Sequence, residues 1–188
     1  MYVDINYLEN LKFNNCKECS ECCKNKYLAP LILDDFEKVY EYFPIFIAKL
    51  DTFKPVMLLS NEKHCPYLIN EKCSIYEKRP PACRLYPYSP WYDKILIDLS
   101  CKGIGIEGEN LPLSINSFKN SSFFDERVID IENKIFNTYK WLENKKLHFF
   151  TTYHGIDLFD IKDKNDKYDE MIIKSKRNLE NYPSLDIL

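Results

Sequence analysis

Half of the cysteines in this 188-residue chain fall within one short stretch, Cys16-Lys17-Glu18-Cys19-Ser20-Glu21-Cys22-Cys23. The rest follow at Cys65, Cys73, Cys83 and Cys101, with none later. Thiolates two residues apart converge on one metal centre, because a tight turn brings both sulfurs to the same side. Cys16, Cys19 and Cys22 repeat that spacing twice. Three local cysteines plus a remote fourth is a ligand pattern of iron–sulfur sites, and the same local spacing also serves zinc. Cys22 and Cys23 are neighbours whose side chains point apart, so they serve different centres, or one ligates while the other packs. The eight thiols suffice for two four-ligand sites.

The compartment bears on how those thiols are read. The segment from Met1 to Asn10 has neither a basic start nor an apolar stretch, which argues against a signal peptide, and no run is long enough to cross a bilayer. A cytoplasmic location is therefore expected, with no membrane partner. In a reducing cytosol, cysteines are ligands or free thiols in preference to disulfides. A net charge of −3 and a pI near 5.7 argue against a general nucleic-acid binder. At 188 residues the chain is long enough to hold a real core, so metal is not needed merely to offset a tiny one.

The expected fold class is α+β. A small cysteine-rich metal-binding domain of short strands, turns and helices occupies residues 1–110. A mainly helical extension, 111–188, packs on it. Leu11, with Tyr7 and Leu8, marks one helical turn in the lead-in. Asp34 is the expected N-cap of a helix with Phe36, Val39, Tyr40 and Phe43 on its apolar face, ended by Pro44. Residues 45–54 read as a second short helix with Ile47 and Leu50 buried, and 55–59 as a strand. Asn70-Glu71 reads as a turn between two extended arms carrying Cys65 and Cys73, a hairpin that brings those sulfurs together. Pro80 and Pro81 stop any continuing helix and stiffen the approach to Cys83. Residues 91–99 read as a strand with Ile95, Ile97 and Leu99 on one side, delivering Cys101, with Gly103 and Gly105 allowing a tight exit. The clearest amphipathic helix runs over 123–145, opened by Ser122 and Asp125 as a capping box and lined by Phe124, Val128, Ile131, Ile135, Tyr139 and Leu142. A weaker helix spans about 168–181. A monomer is the default state, and no protein partner is specified.

The later cysteines sit among Lys63, Lys72, Arg79, Arg84 and Lys102, and the first set among Lys17, Lys24 and Lys26. Positive charge favours the metal-binding thiolate and offsets the surplus charge of a tetrathiolate site. Arg79 and Arg84 are the candidate supporting residues around the ligands, donating to sulfur or pairing with nearby acids. His64 abuts Cys65, but an extended arm points the two side chains to opposite faces. His148 and His154 read as surface or packing residues. Tyr76, Tyr86 and Tyr88 read as shielding around the site, with no paired base beside them.

The block from Cys16 to Cys23, then Cys65-Pro66-Tyr67-Leu68, then Cys73-Ser-Ile-Tyr-Glu-Lys-Arg-Pro-Pro-Ala-Cys83-Arg-Leu-Tyr-Pro87, resembles the YkgJ-type cysteine-cluster (CxxCxxCC) family, described as zinc- or iron-chelating. The resemblance covers roughly residues 14–105. It implies metal or iron–sulfur binding through Cys16, Cys19, Cys22, Cys23, Cys65, Cys73, Cys83 and Cys101. Flagellin lysine methylases carry a similar cysteine region, although those enzymes are much longer and no Gly-rich nucleotide-binding loop occurs here. Three function classes follow: a metal or 4Fe–4S module in electron transfer, sensing or metal handling; a group-transfer enzyme; and an interaction protein stapled by zinc. Cys65-Pro66 and the triple spacing lean toward the cluster. Which remote cysteine joins Cys16, Cys19 and Cys22 stays open, as do catalytic residues and substrate.

Overall fold

The computed structural model describes residues 1–14, 19–61, 63–91 and 94–182. The chain divides into two units, each built from two segments: unit 1 is Met1–Cys22 with Tyr67–Glu132, and unit 2 is Cys23–Pro66 with Asn133–Leu188. Helices and strands are mixed throughout, an α+β fold. No helix among the described residues is long and apolar enough to cross a membrane.

Unit 1 is assembled from small antiparallel sheets. Lys94–Asp98 lies between Tyr2–Asp4 and Tyr88–Trp91. Its Ile95 and Ile97 are buried, and Leu99 packs against the same core, so the expected apolar side of this strand is present. Trp91 belongs to the preceding strand, and residues 92–93 lie outside the described part. A second sheet sets Lys12–Phe13 between Ile104–Gly105 and Glu109–Asn110. Gly108, at φ 103°, is where the chain turns back: a Cβ there would stand 2.2 Å from the Phe13 carbonyl oxygen. The third sheet is the hairpin Leu68–Ile69 with Lys72–Cys73. Asn70 and Glu71 both take positive φ, 49° and 62°, as a two-residue hairpin turn of this hand requires. Ile5, Leu85, Tyr88, Ile97, Leu111 and Phe118 form the buried centre of the unit, with Phe123, Phe124 and Val128 packed against it. In the lead-in, a single turn of 3-10 helix covers Ile5–Tyr7, ahead of Leu8 and Leu11.

Unit 2 is one five-stranded antiparallel sheet in the order His148–Tyr153, Ile156–Asp160, Ile45–Lys49, Phe53–Leu58, Leu28–Pro30. Residues 45–49 are thus a strand, correcting the helix expected over 45–54. A short apolar run carries no decisive period, and Ile45-Phe46-Ile47-Ala48 is buried on both faces of the sheet, where a continuous apolar run is what a central strand needs. Leu50 falls at the turn after it and is exposed, not buried. Phe46, Ala48, Val56, Leu58, Tyr153 and Leu158 form one core cluster with Tyr182. Tyr182 donates its hydroxyl to the Leu58 carbonyl at 2.7 Å, and Tyr153 donates to that of Ser60 at 2.9 Å.

The helix Phe36–Val39 buries Phe36 and Val39, and Phe43 follows them into the interior. Its preceding turn is fastened by Asp35, not Asp34: the buried Asp35 carboxylate accepts the Ile32 N–H at 2.9 Å. Asp34 stays exposed and pairs with Lys134 at 3.5 Å.

The long helix spans Ile131–Glu143, starting later than the expected 123. The apolar spacing from Phe124 onward runs across two separate elements. Asp125 does cap a turn, accepting the Arg127 N–H at 2.9 Å, but that turn is the 3-10 stretch Glu126–Val128. Asp130 then takes φ 54°, which breaks helical continuity before Ile131. Further on, Asp166 caps the helix Lys167–Ser175 by accepting from the Tyr168 and Asp169 N–H groups, and a 3-10 stretch, Lys176–Asn181, continues it. Residues 147–161, without a clear period in sequence, form the hairpin between the two helices.

Candidate metal centre

Cys16 lies outside the described residues. Cys19 precedes the short helix Glu21–Asn25, which carries Cys22 and Cys23. Successive helical side chains diverge by about 100°, so these two sulfurs leave the backbone in different directions. The boundary between the units falls between them. Ser20, nearly buried, donates its hydroxyl to the Glu71 carboxylate at 2.6 Å. That bond ties the first cysteine block to the turn whose second arm carries Cys73.

Cys101 sits in a tight turn at the end of the Lys94–Asp98 strand. Its N–H donates to the Asp98 carbonyl at 3.1 Å, and its own carbonyl accepts from Ile104 N–H at 3.1 Å. Gly103 is required by close approach: a Cβ would meet the Phe13 ring at 2.7 Å, while the Gly103 carbonyl accepts the Asn14 N–H at 2.8 Å. Burial pushes the Cys101 thiol above its ordinary pKa, and Cys19 and Cys22 push the same way, against the opposing influence of the Gly103 backbone and the Tyr86 hydroxyl. Tyr86 is likewise raised, by burial first and then by Cys101, Asp98 and Cys22. Cys19 and Cys22 therefore lie within electrostatic reach of Cys101, and Cys22 and Cys101 within reach of Tyr86, inside unit 1.

Other cysteines are arranged differently. Cys73 pairs with Leu68 across the hairpin ladder, which begins beyond Cys65. The ladder therefore does not set Cys65 opposite Cys73, correcting the expected pairing of arms. Cys65 is buried and donates its N–H to the Cys23 carbonyl at 2.6 Å. His64 Nδ1 lies 2.9 Å from the Cys65 carbonyl oxygen. The turn Tyr76–Lys78 does end ahead of Pro80, and Cys83 is on a new helix, Pro81–Leu85, which Pro81 opens, since a proline at the first helical position loses no hydrogen bond. Arg79 stacks over the Tyr76 ring at 3.5 Å and donates to the Tyr76 carbonyl. Arg84 forms a two-pronged pair with Asp125, at 2.7 and 3.0 Å. Tyr88 is buried and donates to the Pro112 carbonyl. His154 stacks on Tyr27 at 3.8 Å, a packing role.

The donor chemistry fits a thiophilic metal. All seven described cysteines are free thiols; Cys65 is buried and the others are half-buried. Among the described residues, no three Cys, His, Asp or Glu side chains already stand close enough to hold an ion. Sequence reasoning missed the Tyr86–Asp98 pair beside Cys101. Nothing in residue spacing signals it, because the strand Lys94–Asp98 and the segment after Cys83 meet only through sheet pairing.

No curated protein and no solved structure matches this chain. A family model matches residues 15–111, just over half of the 188-residue chain and every cysteine in it. With that match and these free thiols, the chain belongs to the CxxCxxCC family, "Putative zinc- or iron-chelating domain".

Proposed function

We propose that Cys16, Cys19, Cys22 and Cys101 hold one metal centre, and that this centre is a 4Fe–4S cluster in preference to zinc. The observation that carries this reading is Cys101. It is a remote cysteine within electrostatic reach of Cys19 and Cys22 in the same unit. The triple two-residue spacing of the first block supports the cluster form.

A bound cluster supplies one-electron chemistry, and a bound zinc supplies a rigid cross-link. In either case the chain's own task is to present thiolates and shield them. Ser20 and Glu71 hold the first block, and the Asp98–Ile104 turn holds Cys101. Closure by four cysteines leaves no open coordination position, which favours electron transfer, sensing or metal handling over group transfer at the metal. The free thiols support a cytoplasmic, reducing location.

Metal and acid-labile sulfide content of anaerobically isolated protein, together with its visible spectrum, tests the reading. Iron and sulfide in equal amounts with a broad visible absorption are expected. A colourless protein with stoichiometric zinc and no sulfide overturns the cluster form. A protein that takes up neither metal overturns the centre itself.

A further inference from the structure

We propose that Cys23 and Cys65 form a reversible redox-modification site in unit 2, closed to a disulfide by hydrogen peroxide. This goes beyond the metal reading above, which gives neither residue a part, and it does not depend on that reading.

The geometry starts from one backbone bond. The Cys65 N–H donates to the Cys23 carbonyl at 2.6 Å. Cys23 lies in the helix Glu21–Asn25, and carbonyls in the last turn of a helix have no partner within it. Cys65 supplies that partner. With ordinary bond lengths, the contact places the two Cα atoms no more than about 6.5 Å apart. A disulfide spans about 4.4–6.8 Å between Cα atoms, so the pair stands within its reach.

That closeness is built by the sheet of unit 2 and needs no metal. Leu28–Pro30, after Cys23, pairs antiparallel with Phe53–Leu58, ahead of Cys65, with Leu28 opposite Leu58. The pairing continues toward the cysteines, where the Leu59 N–H donates to the Tyr27 carbonyl at 2.8 Å. His64 donates its Nδ1–H to the Cys65 carbonyl at 2.9 Å and fastens the backbone on the other side. Cys22 and Cys23 leave their helix in different directions and belong to different units, so Cys23 stands apart from the centre proposed on Cys22.

The two thiols are unequally sheltered. Cys23 is half-buried, whereas Cys65 is only 6% exposed. An accessible thiol poised beside a second cysteine is the arrangement of a peroxide-reactive residue and its resolving partner. Peroxide oxidises Cys23 to the sulfenic acid; the O–O bond breaks and one water leaves. The Cys65 sulfur then attacks the Cys23 sulfur, the S–O bond breaks and a second water leaves. Together the thiols give up two electrons and two protons, and the peroxide takes up both. A thiol reductant reverses the step. In a reducing compartment such a disulfide is transient, which suits a sensor. The bond closes a loop around Leu28–Pro30, Ile45–Lys49 and Phe53–Leu58, and so restricts the unfolded chain.

The experiment incubates the whole reduced chain with zinc, treats it with hydrogen peroxide, caps the remaining thiols with iodoacetamide and maps the peptides by mass spectrometry. A Cys23–Cys65 linked peptide, lighter by two hydrogens and reopened by dithiothreitol, is expected, together with a higher thermal midpoint. In Cys65→Ser the link is lost and Cys23 gains two or three oxygens instead; where that variant fails to fold, the wild-type map decides by itself. Capping of both residues as thiols while other cysteines are oxidised overturns the proposal. So does protection of the two from peroxide in step with a second equivalent of bound zinc, which makes them ligands and leaves the first centre standing. The link formed in a chain that takes up no zinc or iron supports this site while overturning the metal reading.

Discussion

In unit 2, four strands of five or six residues and one of three pair into one sheet, and Phe46, Ala48, Leu58, Leu158 and Tyr182 pack out of contact with solvent. In unit 1, two of the three sheets consist of two-residue strands, and its five described cysteines sit on turns, short helices and one of those two-residue strands. The first arrangement obtains its order from apolar burial along long ladders. The second has an apolar centre around Tyr88 and Phe118, but its cysteine-bearing turns lie outside that centre. Short ladders gain few hydrogen bonds for the backbone entropy they cost. A metal bound across such turns supplies what the ladders lack. With the proposed centre on Cys19, Cys22 and Cys101, the comparison leads us to expect that unit 1 depends on metal and unit 2 does not.

The largest effect that can break this comparison is metal removal. Structural zinc contributes apparent binding energy of about 10–16 kcal/mol coupled to folding in small metal domains. Exhaustive chelation of the loaded protein is therefore expected to abolish amide-exchange protection around Cys101 and the Cys73 hairpin. Protection at Phe46, Val56 and Leu158 should persist. Equal loss in both units would mean that the two do not differ in this respect.

Phe46→Ala probes the other side. Phe46 is fully buried, rests against Phe150 at 4.9 Å and lies under the Lys176 ammonium. Truncating such a ring costs about 3–5 kcal/mol, read as a lower denaturation midpoint with metal content per folded chain unchanged. Loss of metal in step with this variant would contradict the separation of roles.

A smaller effect concerns pH. Lys176 donates to the Ile45 carbonyl and pairs with Asp160 at 3.2 Å, yet burial pulls its pKa down to about 8 from 10.5. Between those values the unfolded chain holds a proton that the folded chain has released. Stability from this group therefore rises with pH across that window, and below it the cost of burying the charge is fully present. The wild type is expected to gain about 1–3 kcal/mol relative to Lys176→Met between pH 8 and 10.5. Parallel stability profiles for the two proteins would show that Asp160 compensates the buried charge completely.

Several features were legible in the residues alone. The Asn70-Glu71 turn was readable because it stands between short extended arms, and the final helix was readable as a weaker pattern than the one at 123–145. The run at 45–48 was not, since four apolar residues fit either a helix or a doubly buried strand until their neighbours are known. The late start of the Ile131–Glu143 helix was hidden because Phe124 and Val128 continue its spacing while packing into the core of unit 1. The electrostatic reach of Cys19 and Cys22 to Cys101 was hidden for the same kind of reason: spacing reports local turns and says nothing about which distant strand end returns beside them.

By itself the sequence determined the chemistry. Eight thiols with two-residue spacing and no later cysteine point to metal whatever the path of the backbone, because ligand type and local turn length are written in the residue order. The tertiary structure alone decided which segments share a unit. Residues 1–22 join 67–132, and the segment between them pairs instead with strands from beyond 133. Sheet pairing and apolar burial act between residues distant along the chain, and they are resolved only when the whole chain competes for the same partners.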